Sequence, residues 1–162
     1  MYIDVDGVLV VWDPQHNCIE LARGFGRLLR FCKIHAIRPY WLSMWSRDPS
    51  TLHGLNCLLW PTICPTMVVP EIVSYGDQGK AAAIDYESDF VWIEDGIGEK
   101  DLAVLDEHGA RDRLFLTDGL DPECLLKFMD FTRRKMRLPE IEDWGPAWDS
   151  PFTRPRVNNR LD

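Results

Sequence analysis

The sequence has no run of about 18 uncharged apolar residues, the length that a helix needs in order to cross a membrane. Asp4 and Asp6 interrupt the first apolar segment, and we therefore expect neither a signal peptide nor a membrane partner. The five cysteines form no Cys-x-x-Cys pair, and their odd number favours reduced thiols in a cytoplasmic protein. Basic residues are also few, with 18 Lys and Arg against 26 Asp and Glu. The net charge of −8 disfavours non-specific adhesion to nucleic acid or to an anionic membrane.

The composition is that of a folded protein, because 46% of the 162 residues are hydrophobic and 27% are charged. The apolar patterns predict strands at 1–5 (running into 8–11), 37–43, 67–69, 90–93 and 114–117, and helices at 19–34, 48–59, 80–86, 99–108 and 121–136. This alternation predicts an α/β fold, a Rossmann-like three-layer sandwich with a central, mostly parallel five-stranded sheet. We assign residues 1–137 to a catalytic domain and residues 138–162 to an irregular C-terminal tail.

Polar side chains follow three of the predicted strands at the points where the strands end: Asp4 and Asp6, Ser43, and Glu94 with Asp95. Because the carboxyl ends of parallel strands meet at one edge of the sheet, we expect these side chains to lie close together. Several carboxylates gathered there would repel one another unless a cation offset their charge. Carboxylate oxygens are ligands that Mg²⁺ prefers, and the sequence therefore predicts a magnesium site at this edge.

The same residues resemble the four motifs of the haloacid dehalogenase (HAD) superfamily of phosphohydrolases, in order along residues 1–136. Asp4-Val5-Asp6-Gly7 resembles the first motif, Ser43 the second, Lys80 the third and Glu94-Asp95 the fourth. Within this region, segments 41–45 and 92–95 resemble the small HAD domain found in RNA-repair ("Swiss Army Knife") proteins. The fourth motif departs from the family where Glu94 replaces a common aspartate, which leaves an altered metal affinity open.

The resemblance implies a Mg²⁺-dependent phosphomonoester hydrolase that forms an aspartyl phosphate. In it, Asp4 would be the nucleophile, Asp6 would protonate the leaving oxygen and then activate water, and Lys80 would neutralise charge. Three residues would contact the substrate phosphate: Ser43, Lys80 and Gly7. Three residues would hold Mg²⁺, with Glu94 beside them rather than among them: Asp4, Asp6 through its backbone carbonyl, and Asp95.

Each of these residues also has a plainer interpretation. The aspartate pair suits a strand end followed by a turn, and Lys80 suits a solvated position on a helix. Ser43 suits an ordinary strand-end hydroxyl, with Ser46 as its rival for the phosphate contact. Glu94 is equally compatible with a plain solvated acid. Asp101 could add to the metal shell through the turn Gly96-Ile97-Gly98, but we expect it to cap a helix or face solvent.

Substrate choice in the superfamily follows from cap insertions, and residues 8–18 leave room for a small flap but for no large cap domain. Open, capless sites in the family often serve bulky or polymeric phosphoesters, so we expect the phosphate of a nucleotide or of a polynucleotide end. Trp12, Trp45 and Arg47 follow the first two motifs, where they could stack on a base or bind phosphate. The alternatives are a protein or small-metabolite phosphatase and a non-catalytic phosphate- or nucleic-acid-binding module on the HAD fold. No oligomeric state is predicted.

Overall fold

A parallel sheet organises the fold in a computed structural model that describes residues 1–13 and 18–141. The strands are β1 (Tyr2–Ile3), β2 (Val10–Asp13), β3 (Cys18–Leu21), β4 (Tyr40–Trp41), β5 (Glu71–Ile72), β6 (Trp92–Glu94) and β7 (Leu114–Leu116). Five of these strands form one sheet in the order β5-β4-β1-β6-β7, and every neighbouring pair in it is parallel. The predicted α/β fold with a central five-stranded sheet is therefore confirmed.

Helices flank both faces of the sheet and give the predicted three layers. They are α1 (Phe25–Ile34), α2 (Pro49–Leu58), α3 (Trp60–Ile63), α4 (Glu99–Glu107) and α5 (Cys124–Lys135), with 3₁₀ turns at Met44–Arg47, Ala81–Ala83 and Arg111–Arg113. One core cluster packs α1, α2, α3 and α5 against side chains such as Ile3 and Ile93. The other packs α4 and the turn Ala81–Ala83 against Tyr2 and Trp92. Consecutive residues of β1 and β6 thus contribute to opposite faces of the sheet, as the pleat requires.

Two helix ends are explained by the residues that stand there in the sequence. The side chain of Asp48 accepts a hydrogen bond from the backbone N–H of Ser50 at 3.0 Å, directly before Pro49 opens α2. After α4, Gly109 takes the left-handed conformation with φ of 61°, which releases the chain from the helix. Both the start of α2 and the end of α4 agree with the prediction to within a residue or two.

The strand predicted at 67–69 is wrong, because the third strand of the sheet in chain order is β5. Met67 has a φ of 56°, and its backbone N–H donates to the Ile63 carbonyl oxygen at 2.9 Å. Residue 67 therefore ends the helical turn that follows α3. The chain joins the sheet only after Pro70, where the N–H of Glu71 donates to the Pro39 carbonyl oxygen at 3.1 Å.

Two helix predictions also need correction. Residues 19–21 lie in β3, which pairs antiparallel with β2, and α1 begins only after Gly24, whose φ of 87° is incompatible with a continuing right-handed helix. The helix predicted over 80–86 is reduced to the 3₁₀ turn Ala81–Ala83. It stops because Ile84 is extended, with φ of −77° and ψ of 136°.

The hairpin of β2 and β3 is the part of the described chain that stands between Gly7 and α1, and the crossover from β4 to β5 consists of a 3₁₀ turn, α2 and α3. The resemblance to the HAD superfamily predicts that a cap would follow the first motif or lie between the second and the third, and the connection 60–79, which we expect to be too short for one, contains α3 and β5. Leu138 and Ile141 pack against the first core cluster, and the rest of the predicted tail, 142–162, lies outside the described residues. Across the described parts of the chain, each helix is too short or too polar to traverse a bilayer.

Candidate active site

The acidic residues predicted to meet do so at the carboxyl edge of the sheet, whereas Ser43 is buried and does not line the cleft there. The order of strands reverses between β1 and β6, and ligands of open α/β sheets bind at such a point. A cleft of about 370 Å³ opens there. Its walls include the predicted residues Asp4, Asp6, Lys80, Glu94 and Asp95.

Lys80 connects the two buried carboxylates of the cleft. Its Nζ lies 3.1 Å from Oδ2 of Asp4 and donates a hydrogen bond of 2.7 Å to Oε2 of Glu94. The side chains of Asp4 and Glu94 are only 5% and 2% exposed, and that of Lys80 is 12% exposed. Oδ1 of Asp4 is buried and, within the described chain, has no hydrogen-bond partner. One oxygen of Asp4 is thus paired with a cation while the other is available for a ligand.

Burial and mutual contact shift the pKa values of Glu94 and Lys80 in this cluster. Burial, together with hydrogen bonding and charge repulsion from Asp4, raises the pKa of Glu94 to about 9, although Lys80 acts in the opposite direction. Burial by itself lowers the pKa of Lys80, but the charges of Asp4 and Glu94 outweigh burial and the pKa is raised. Without a metal ion, burial and the neighbouring Asp4 therefore disfavour the charged form of Glu94, whereas Lys80 favours it.

Carboxylate oxygens suited to a hard cation are grouped in the same cleft. Asp4, Glu94 and Asp95 each offer an oxygen, and these oxygens all lie within 4.8 Å of one another. Magnesium is commonly held by one or two carboxylates, with waters and substrate oxygens completing the shell. The unpartnered Oδ1 of Asp4 and an all-oxygen set of donors therefore fit Mg²⁺.

Gly7 provides the space that Asp95 occupies. A Cβ atom at position 7 would collide with the carboxylate of Asp95, and the φ of Gly7 is 68°, which side chains other than glycine rarely adopt. The glycine of the first motif therefore brings the backbone after β1 against the fourth motif. The phosphate contact predicted for Gly7 stays a prediction.

Asp6 differs from Asp4 in being exposed, and its orientation is set by a tryptophan. The indole Nε1 of Trp45 donates a hydrogen bond of 2.8 Å to Oδ2 of Asp6. Trp45 lies in the 3₁₀ turn after β4, so the loop of the second motif positions the second aspartate of the first. Trp12, which with Trp45 and Arg47 was a candidate for contact with a base or phosphate, is 44% exposed and lines a second cleft on which Asp6 and Asp95 also lie.

Ser43 is fully buried, and its observed contacts are structural. Its Oγ accepts from the backbone N–H of Trp45 at 3.3 Å, while Oγ of Ser46 accepts from the backbone N–H of Ser43 at 3.2 Å. These reciprocal bonds form a capping box on the turn Met44–Arg47. Ser46 is committed to the same cap and also donates to the Trp41 carbonyl oxygen at 3.4 Å. The phosphate contact of Ser43 stays a prediction.

Some residues of the cleft were not predicted from the sequence. Asp101, which was expected to cap a helix or face solvent, accepts a 2.7 Å hydrogen bond from the N–H of Ala81 and packs against Gly79. It thereby braces the turn that follows Lys80. The available signal was its place in the first turn of α4, directly after the fourth motif. Tyr75 also lines the cleft, and no local pattern marked it.

Comparisons with known proteins return no match, since no protein-family model, curated protein or solved structure matches the chain. The relationship to the HAD superfamily therefore stays a prediction from the motifs. The fold and the site themselves define an α/β protein whose parallel sheet carries an acidic, lysine-containing cleft at its carboxyl edge.

Proposed function

We propose that this chain is a Mg²⁺-dependent phosphomonoester hydrolase that acts through an aspartyl phosphate, in the manner of a capless HAD enzyme. The observation that carries the proposal is the state of Asp4. Its buried carboxylate has one oxygen 3.1 Å from Lys80 and the other without a partner in the described chain, and it borders an open cleft. A buried, oriented carboxylate of this kind is suited to nucleophilic attack.

The reacting groups divide their tasks as follows. Asp4 attacks phosphorus, and the bond from phosphorus to the leaving oxygen breaks. Asp6 delivers a proton to that oxygen and afterwards takes one from the water that hydrolyses the aspartyl phosphate. Its exposure and its hydrogen bond from Trp45 suit this exchange with substrate and solvent. The ammonium group of Lys80 holds Asp4 in place and offsets negative charge on the phosphoryl oxygens.

Mg²⁺ would be held by the carboxylates of Asp4 and Asp95 together with the backbone carbonyl of Asp6. When bound, the ion supplies Lewis-acid stabilisation of the phosphoryl oxygens. Burial and the neighbouring Asp4 raise the pKa of Glu94, which disfavours its charged form. This supports a place for Glu94 beside the ligands, where it accepts a hydrogen bond from Lys80.

The proposed substrate is the phosphate of a nucleotide or of a polynucleotide end. Short connections at both cap positions support an open cleft, and Arg47 is a basic group on its wall. We further propose a cytoplasmic location, which agrees with the free thiols of Cys32, Cys57, Cys64 and Cys124.

The test is hydrolysis of 4-nitrophenyl phosphate by the purified protein with MgCl₂, with EDTA, and in the variant Asp4→Asn. We expect turnover with Mg²⁺ and none with EDTA or in Asp4→Asn. The matched control is Asp106→Asn, which removes an exposed carboxylate of α4 and should leave turnover unchanged.

The result that contradicts the proposal is equal turnover in Asp4→Asn and wild type, or an absence of metal-dependent turnover on every phosphomonoester tested. In the second case, binding of phosphorylated oligonucleotides or of inorganic phosphate without hydrolysis would favour the non-catalytic module instead.

A further inference from the structure

A cation lies over an aromatic ring at the side of the cleft. The guanidinium carbon of Arg47 lies 5.5 Å from the ring centroid of Tyr75. Both residues border the cleft that contains Asp4 and Lys80. Met44, which is 63% exposed, lines the same cleft. None of these three side chains has a part in the proposed chemistry.

The two loops that carry Arg47 and Tyr75 are held together by the fold. Met44 and Arg47 belong to one 3₁₀ turn, which the capping box of Ser43 and Ser46 secures. The loop that carries Tyr75 is tied to the same turn, because Oγ of Ser74 donates to the Ser46 carbonyl oxygen at 3.4 Å. The ring and the guanidinium thus come from separate loops that are held together.

A planar guanidinium over an aromatic ring is a surface on which nucleobases stack. The cleft volume of about 370 Å³ lies at the small end of ligand pockets, which suits one nucleotide unit rather than a long chain segment. Apart from Arg47 and Lys80, the charged side chains on the cleft wall are carboxylates, Asp6 and Asp101 among them. An uncharged flat base therefore fits this wall better than an acidic peptide does.

We propose that Arg47, Tyr75 and Met44 form a base-binding subsite, which selects a nucleotide whose phosphate lies at Asp4 and Lys80. This inference rests on the proposed hydrolase function and names the substrate class of that same site. The base stacks on the Arg47–Tyr75 pair and contacts the thioether of Met44, and the guanidinium edge remains able to meet a sugar or a second phosphate.

The experiment compares kcat/KM for adenosine 5′- and 3′-monophosphates with kcat/KM for glycerol 2-phosphate, which has no ring. The variants Arg47→Gln and Tyr75→Leu should lower the value for the better nucleotide about tenfold while glycerol 2-phosphate is unaffected. Tyr75→Phe keeps the ring and should retain the wild-type value. Arg38→Gln removes an exposed arginine near the opposite edge of the sheet and should also retain it.

Equal losses on the nucleotide and on glycerol 2-phosphate would overturn the inference, as would no loss on either. A phosphotyrosine peptide is assayed in parallel. A loss of kcat/KM confined to that peptide would show that these residues bind peptide, which overturns the inference. Equilibrium dialysis of radiolabelled adenosine monophosphate against Asp4→Asn, with and without Tyr75→Leu, tests the subsite without turnover. A dissociation constant that Tyr75→Leu leaves unchanged contradicts the proposed subsite. An absence of hydrolysis on every phosphomonoester tested contradicts only the proposed function.

Discussion

Removal of the Lys80 ammonium should destabilise the metal-free protein strongly, because it leaves a buried charge without its partner. The charge in question is the negative charge that Asp4 and Glu94 present to Lys80, and the raised pKa of Glu94 disfavours a second one beside it. With the ion pair at 3.1 Å and an effective dielectric constant of about 20, the Coulomb energy is roughly 5 kcal/mol. Breaking one partner of a buried pair costs about 3–5 kcal/mol, so we expect Lys80→Met to lose that much.

The double variant Asp4→Asn/Lys80→Met should recover most of the loss, since it removes both charges together. Urea unfolding at neutral pH, followed by circular dichroism in EDTA, gives the free energies of unfolding. The control Lys127→Met breaks an exposed ion pair with Asp121 and should cost less than about 1 kcal/mol. The electrostatic account of the site is refuted if Lys80→Met costs no more than this control. It is also refuted if the double variant is as unstable as Lys80→Met.

Three other outcomes follow from single contacts. Gly7→Ala should weaken Mg²⁺ binding and stability together, because its Cβ would displace Asp95; calorimetric Mg²⁺ titration that shows wild-type affinity would contradict this. Because folded protein keeps a proton on Glu94 that the unfolded chain releases, stability without metal should fall as pH rises from about 4.5 to about 9. Glu94→Gln should flatten that slope in urea titrations, and an unaltered slope would count against the raised pKa. Trp45→Phe should lower kcat by about tenfold by freeing the side chain of Asp6, and an unchanged kcat would exclude the positioning role.

Four of the five strands of the sheet could be predicted because each lies in a short apolar run between polar breaks, and alternation with helices implies parallel pairing. The third strand was misplaced because two neighbouring runs were both plausible. The valines at 68 and 69 suit a strand at least as well as Glu71 and Ile72 do. The choice between them is made by pairing with the distant Pro39–Trp41 segment, which local preference cannot reveal.

The hairpin was missed for a similar reason. Residues 19–21 continue the apolar spacing of α1, so a helical pattern extends through them. Their pairing with β2 is formed with a separate part of the chain, and it prevails over the helical pattern. The left-handed Gly24 then marks the true boundary, and glycine alone in the sequence does not distinguish a helix start from a tolerated interior position.

The meeting of Asp4, Lys80, Glu94 and Asp95 at one edge could be anticipated from motif order, because parallel strands carry their carboxyl ends to the same place. The finer arrangement could not be anticipated. The stacking of Arg47 on Tyr75 and the hydrogen bond from Trp45 to Asp6 depend on how separate loops pack together. The raised pKa of Glu94 likewise depends on burial and on Asp4, neither of which a linear sequence displays.

The most direct test of the central claim is to look for the phosphoryl group on Asp4 during turnover. Wild-type protein with Mg²⁺ and a good substrate is quenched in acid within one turnover, and the N-terminal peptides are analysed by mass spectrometry. The account predicts a mass increase of one phosphoryl group that fragmentation assigns to Asp4 and that disappears when the substrate is exhausted before quenching. Metal-dependent turnover with no phosphoryl group at Asp4, or with one attached to another residue, would contradict it.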